Sequence, residues 1–139
     1  MHRDGLNAGD SQVQPEFRSK CRVASAVDIV GDKWTLVVLR TIFAGRHRYG
    51  ELADIPEKIS TNILADRLER LEQYGLVTKS PYQQNPVRYQ YWLTAKGADL
   101  LPVLQQLAAW AARHIPGRWS SPPWFDEGKP EHFYPAKVK

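Results

Sequence analysis

Few side chains in this sequence are candidates for covalent chemistry, and no motif brings them together. Cys21 is the one nucleophile that stands out; the nearest base to consider, His47, is not placed beside it by any spacing, and no loop that would hold an oxyanion is evident. No catalytic residue is assigned, and the chain is not read as an enzyme. A single cysteine excludes an internal disulfide, and the four histidines, at 2, 47, 114 and 132, lack metal-ligand spacing, so neither metal nor cofactor is expected. The other candidates are polar and cationic. Ser60, Thr61, Asn62 and Asp66 cluster at the start of one helical segment, and Arg48, Arg67, Arg70 and Arg88 lie within and around it. Hydroxyl, amide and carboxylate groups exchange hydrogen bonds with base edges, and guanidinium groups hold phosphate oxygens. The chemistry on offer is therefore recognition of a nucleic acid.

Composition sets the outer bounds. With 139 residues, 42% of them hydrophobic, there is enough apolar material for one core and too little for two. The longest run without charge, 100–112, is broken by Pro102 and two glutamines and is too short to cross a bilayer. Residues 1–14 lack the apolar segment of a signal peptide, so the expected location is cytoplasmic and nucleoid-associated, without membrane contact. The net charge of +4 is uneven: Lys79, Arg88, Lys96 and Arg113 face Asp99 alone in 76–115, whereas 1–20 and 21–75 each balance. An excess this small does not by itself mean a polyanionic partner.

The elements that must position these residues follow from periodicity. Residues 1–20 show no period and contain Gly5, Gly9 and Pro15, which predicts a mobile arm. Val23, Ala26, Val27 and Val30 recur at helical spacing up to Gly31; Asp32 can cap a second helix, 33–44, apolar on most of its surface and stopped at Gly45. After Arg46-His47-Arg48 comes a short third helix, 49–55, halted by Pro56. Ser60 caps a fourth, in which Ile63, Leu64, Leu68 and Leu71 form the buried stripe and Asn62, Asp66, Glu69 and Gln73 lie opposite, as far as Gly75. Two β-rich runs, 76–82 and 87–93, predict a hairpin whose Tyr89, Tyr91 and Leu93 face the core. Thr94 caps a long helix, 95–114, bent by Pro102. Residues 116–139 hold five of the ten prolines with Trp119, Trp124, Phe125, Phe133 and Tyr134, a composition read as neither regular helix nor central strand. The organisation is an arm (1–20), a domain with a C-terminal dimerisation helix (21–115), and a tail (116–139) either disordered or docked on a partner subunit.

This order is that of a winged helix-turn-helix, mostly α with a β-hairpin wing. A helix entering the major groove must bury one stripe on its own domain and present polar side chains of the other face to base edges. Residues 60–74 meet that requirement, and their amino end suits a phosphate oxygen. Seven stretches carry a resemblance in register over residues 21–110: Cys21-Arg22-Val23-Ala24, Gly31-Asp32-Lys33-Trp34-Thr35-Leu36, Tyr49-Gly50-Glu51-Leu52, Ile59-Ser60-Thr61-Asn62-Ile63-Leu64-Ala65-Asp66-Arg67-Leu68, Tyr74-Gly75-Leu76-Val77, Pro86-Val87-Arg88-Tyr89-Gln90-Tyr91-Trp92-Leu93-Thr94 and Leu101-Pro102-Val103-Leu104. In these the chain resembles the HxlR-type winged helix-turn-helix transcriptional regulators of bacteria, relatives of the MarR group. The resemblance implies a homodimeric DNA-binding regulator whose recognition helix starts at Thr61 and whose wing contains Arg88. It also implies that Cys21 occupies the position some relatives use to sense oxidants or electrophiles. The chain departs from the family pattern at Gln90, where the wing often has glutamate, and at Asn62, where a basic residue is frequent. The aromatic tail is not part of the shared pattern.

Several residues carry two readings. Arg67, closer on the helical wheel to the apolar stripe than Asn62 is, is expected at the domain edge on phosphate; Arg70 is left open between DNA and pairing with the helix's own carboxylates. Arg48 is the member of its basic turn best placed for phosphate. Trp34, Trp92 and Trp110 could line an effector pocket or pack in the core, and Trp34 is assigned to the core. Cys21 is either a thiolate-favouring residue at a helix start, flanked by Lys20 and Arg22, or a small apolar residue packed beside Val23. Leu100, Leu104, Leu107 and Ala111, extended by Val103, Trp110 and Ile115, offer a stripe that a second subunit would bury. The expected partners are an operator in double-stranded DNA, a second copy of the chain, and an unidentified small-molecule effector. The alternative is a winged-helix adaptor that binds protein and has no DNA target.

Overall fold

The computed structural model describes residues 15–134. Most of the expected arm, and the last five residues of the tail, lie outside the described residues. The elements run α1 (Arg22–Val30), α2 (Thr35–Phe43), α3 (Tyr49–Ala53), α4 (Thr61–Gln73), β1 (Val77–Gln83), β2 (Arg88–Leu93), α5 (Ala95–Ala98), α6 (Leu101–His114) and α7 (Pro123–Asp126). Among the described residues no helix is long and apolar enough to cross a membrane.

The second helix is the centre because almost every turn of it is apolar. Val38, Leu39, Ile42 and Phe43 are buried, and α2 packs against α3, α4 and β2. Leu52 of α3, Leu64, Leu68 and Leu71 of α4, Leu76, Val77 and Leu93 around the hairpin, and Leu101 of α6 complete the core. Burying each such leucine stabilises the fold by about 1.5–3 kcal/mol, so the single stripe of α4 is enough to fix that helix's rotation. Gly45, at φ +93°, ends α2 in the left-handed conformation its position requires.

The hairpin pairs antiparallel with Val77 opposite Leu93 and Lys79 opposite Tyr91, and its ladder is irregular between Pro81 and Gln83. A short segment before α3 adds a third edge: the Tyr91 N–H donates to the His47 carbonyl at 2.8 Å and Arg48 bridges Gln90. The expected core face of β2 holds for Leu93, which is buried, and for Tyr91, which packs half-buried against the core. Tyr89, nearer the turn, is only half-buried, and Trp92 on the opposite face stacks on His47 with centroids 3.7 Å apart.

The single helix expected over 95–114 is two. Asp99 and Leu100 separate α5 from α6, and Pro102 sits in the first turn of α6, where its missing N–H leaves no bond unmade. The break changes which residues of α6 face inward. Leu101 and Leu104 are buried in the chain's own core, so Leu104, expected at a dimer interface, is a core residue; Leu100 also packs against the core, partly buried. The helix's outer face carries Val103, Leu107 and Trp110, each between 42% and 53% exposed.

The tail, too, differs from expectation. It forms the one-turn helix α7 and a 3-10 turn, Pro130–His132, and folds onto its own chain. Phe125 is buried, Phe133 meets Phe43 edge-on at 5.2 Å, and Gln105 of α6 donates to the carbonyls of Phe125 and Gly128 at 2.8 and 3.0 Å. A tail rich in proline can pack this way because side-chain amide donors satisfy the carbonyls that no regular ladder would.

Candidate nucleic-acid interface

The exposed face of α4 is built from its buried one. With Leu64, Leu68 and Leu71 turned inward, Thr61, Asn62, Ala65, Asp66 and Glu69 are exposed. Ser60 caps the helix, its Oγ accepting the Ile63 N–H at 3.2 Å. The Tyr49 hydroxyl donates to the Thr61 carbonyl at 2.7 Å and so pins the amino end of α4 to α3. That second tether escapes sequence reasoning, because nothing in the spacing joins residues of two helices.

Arg48 stands at the junction of α3 and the wing. Glu51 accepts the backbone N–H groups of Arg48 and His47 at 3.1 and 3.2 Å, and these two bonds hold its carboxyl below the ordinary glutamate range. The guanidinium of Arg48 lies 4.0 Å above the Tyr82 ring, which aims it along the hairpin. Its neighbour Arg46 is otherwise occupied, donating to the carbonyls of Glu51 and Asp54 at 3.2 and 2.7 Å. Arg88 opens β2 opposite Gln83 and is exposed.

Two arginines of α4 face inward to a carboxylate instead of outward. Arg67 Nε donates to Asp32 at 2.7 Å and its Nη1 to Asp66 at 2.5 Å, while Arg70 lies 3.9 Å from Asp32 and 5.9 Å from the Tyr74 ring centroid. The Arg67 side chain, only 20% exposed, is thus committed to the turn before α2 and away from the domain edge. Its helical-wheel position near the apolar stripe, which suggested the domain edge, instead brings it within reach of Asp32. Asp32 also caps α2, accepting the N–H groups of Trp34 and Thr35 at 2.9 and 3.1 Å and the Thr35 hydroxyl. Partial burial pushes the Asp32 carboxyl up, but the Thr35 hydroxyl, the Arg67 guanidinium and the Trp34 N–H together outweigh it and hold it well below the usual carboxylate range. Reciprocally, the bond to Asp32 raises the pKa of Arg67.

Cys21 is exposed and caps α1, its Sγ accepting the Ala24 N–H at 3.5 Å. Packing beside Val23 is not found, since Val23 is itself 72% exposed. The structure therefore brings Ser60, Thr61, Asn62 and Asp66 onto one exposed helix end, leaves Arg48 and Arg88 open on the wing side, and draws Arg67 and Arg70 to Asp32.

Comparison with known proteins agrees with this architecture. The family model described as HxlR-like helix-turn-helix matches residues 29–118. An uncharacterized HTH-type transcriptional regulator of Synechocystis sp., sll1512, is 39% identical over 84 residues; the match takes in 60% of this chain and spans 62% of the relative's length. Among solved structures, the reduced form of the transcriptional regulator YodB from B. subtilis shares 30% identity at a TM-score of 0.58, covering 73% of this chain and 100% of that one. The redox regulator HypR in its reduced form shares 28% identity at a TM-score of 0.63, over 69% of this chain and 95% of that one. With a family match that takes in α2 through α6 whole, this chain is a winged helix-turn-helix protein of the HxlR-like family.

Proposed function

We propose that the protein is a transcriptional regulator that binds double-stranded DNA sequence-specifically, in the cytoplasm, as a homodimer on an inverted repeat. Thr61, Asn62 and Asp66 meet base edges in the major groove, Ser60 orders the helix end that approaches the backbone, and Arg48 and Arg88 hold phosphate or a narrow groove beside it. Arg67 and Arg70 act from behind by fixing the roll of α4. The observation that carries this reading is the exposed polar end of α4, capped by Ser60 and pinned through Tyr49, with exposed Arg88 on the wing and exposed Arg48 where α3 meets it.

The dimer is proposed to form on the outer face of α6, where Val103, Leu107 and Trp110 line a shallow concavity of about 820 Å³ and Ala111 continues the surface. Exposed Val23 and Val27 of α1 offer further apolar area for a partner to cover. Modification of the exposed Cys21 thiol by oxidants or electrophiles is proposed to change DNA affinity by shifting the spacing of the two recognition helices.

Fluorescence anisotropy with the DNA upstream of the protein's own gene, over a salt series, tests the reading. Four arginine–phosphate contacts, two per subunit, predict an affinity loss of about 100-fold between roughly 50 and 200 mM salt. Affinity that ignores salt and sequence alike would sink the DNA reading and favour the protein adaptor.

A further inference from the structure

We propose that the pocket between the aromatic tail and the root of the wing binds a small, uncharged, planar aromatic molecule, and that the wing reads its occupancy through His47. The pocket is lined by Phe43 of α2, by the stacked pair His47 and Trp92, and by His132, Phe133 and Tyr134 of the tail, with Phe133 edge-on to Phe43. The volume is about 260 Å³. A cavity of roughly 150 Å³ accommodates benzene, so this one has room for a single substituted ring or a small fused pair. Aromatic walls set at differing angles favour a flat π-system, whose faces and edges they meet in the offset and edge-on arrangements that aromatic rings prefer.

The polar groups narrow the class further. His47 Nδ1 contacts the Tyr91 carbonyl at 2.8 Å and must donate there, which leaves Nε2 an acceptor in the neutral ring. His132 Nδ1 accepts the Lys129 N–H at 3.2 Å, which leaves its Nε2 a donor. Neither Nε2 has a protein partner among the described residues. These ring nitrogens and the Tyr134 hydroxyl give the lining uncharged donors and acceptors, with no Asp, Glu, Lys or Arg among its residues. A phenol, or a ring that carries N–H, matches that set; a carboxylate finds no counter-ion.

Coupling to the wing follows from what His47 touches. Its backbone and its ring both bond Tyr91 of β2, its ring stacks on Trp92, and the next residue is Arg48. A ligand pressing on that pair shifts the edge of the wing and the arginine poised over Tyr82. This half of the proposal rests on the DNA reading above; the binding half does not.

The full-length protein, labelled with ¹⁵N, is titrated with phenol and indole, with cyclohexanol and benzoate as controls, while the indole N–H signals are followed; the Trp92→Phe spectrum assigns the one that matters. Phenol and indole should move the Trp92 signal saturably with a Kd of about 1 mM or tighter, within reach of seven to nine heavy atoms. Cyclohexanol and benzoate should bind about tenfold more weakly. His132→Ala, at an exposed position, should weaken phenol several-fold, and Phe133→Ala about tenfold. No saturable change at Trp92, shifts confined to Trp110 on α6, or unaltered binding in both variants would overturn the site. Phenol should also change operator affinity, and operator should change phenol affinity by the same factor. If DNA and phenol both bind without mutual effect, the route through His47 is overturned. If no DNA binds at all, the DNA reading fails while the Trp92 shifts still support the pocket.

Discussion

Arg67 Nε donates to Asp32 Oδ2 at 2.7 Å, joining the middle of α4 to the turn that starts α2. The same carboxylate caps α2, so one side chain sets both the start of the central helix and the roll of the helix proposed to read DNA. Charge-assisted bonds of this kind are about twice as strong as neutral ones, and removing one partner leaves a half-buried charge without its counter-charge.

Asp32→Asn should therefore cost about 1–3 kcal/mol at neutral pH. Because the folded carboxyl is depressed, its contribution is complete above the unfolded value of about 3.9 and is lost as pH falls below that towards the folded one. Urea unfolding of wild type and variant should show a constant gap from pH 7 to about 5 that closes under stronger acid. A gap that widens on acidification would contradict the assignment.

Asn62→Ala and Arg88→Ala should fail differently. The first should relax preference at one position of each half-site by about 1–3 kcal/mol, and the second should weaken all duplexes and shallow the salt slope. Binding of the native operator at wild-type strength by both variants would remove these residues from the interface.

Two leucines three residues apart on α6 should separate the proposed dimerisation from folding. Leu107→Glu, on the outer face, should yield a folded monomer in sedimentation, whereas Leu104→Ala, inside the core, should destabilise by about 2–4 kcal/mol and leave the dimer intact. A Leu107→Glu protein that still sediments as a dimer would move the interface elsewhere.

Cys21→Ser keeps an acceptor at the α1 cap and removes the thiol. Operator affinity of wild type should change on treatment with diamide or a quinone, and that of the variant should not. Equal, unresponsive affinities would reduce Cys21 to a cap.

Gly97 lies against backbone. A Cβ there would stand 2.0 Å from the Leu76 carbonyl oxygen, in the close packing where Thr94 closes the hairpin onto α5. Gly97→Ala should lower stability by about 1–3 kcal/mol or more, read as a drop in Tm. A variant as stable as wild type would show that the junction can open at no cost.

What the sequence by itself determined were features written within one element. The stripe Ile63, Leu64, Leu68 and Leu71, the Ser60 cap, the Gly45 stop and the two β-rich runs each depend on neighbours within a few residues, where periodicity and capping act. Tertiary structure decided everything that joins distant segments. Asp32 is 35 residues from Arg67, and only the packing of α4 on α2 turns an arginine legible as DNA-facing into a tether. Pro102 is compatible with a bend or a start, and the buried side of Leu101 against the core selects the start, which in turn draws Leu104 inward. The tail's aromatics carry no period, so their destination was set by an apolar surface at Phe43 and by the amide of Gln105, neither of which local patterning can point to. Helix phase and capping are short-range and survive in sequence; which of two available partners a long, polar or aromatic side chain takes depends on what the assembled core leaves within its reach.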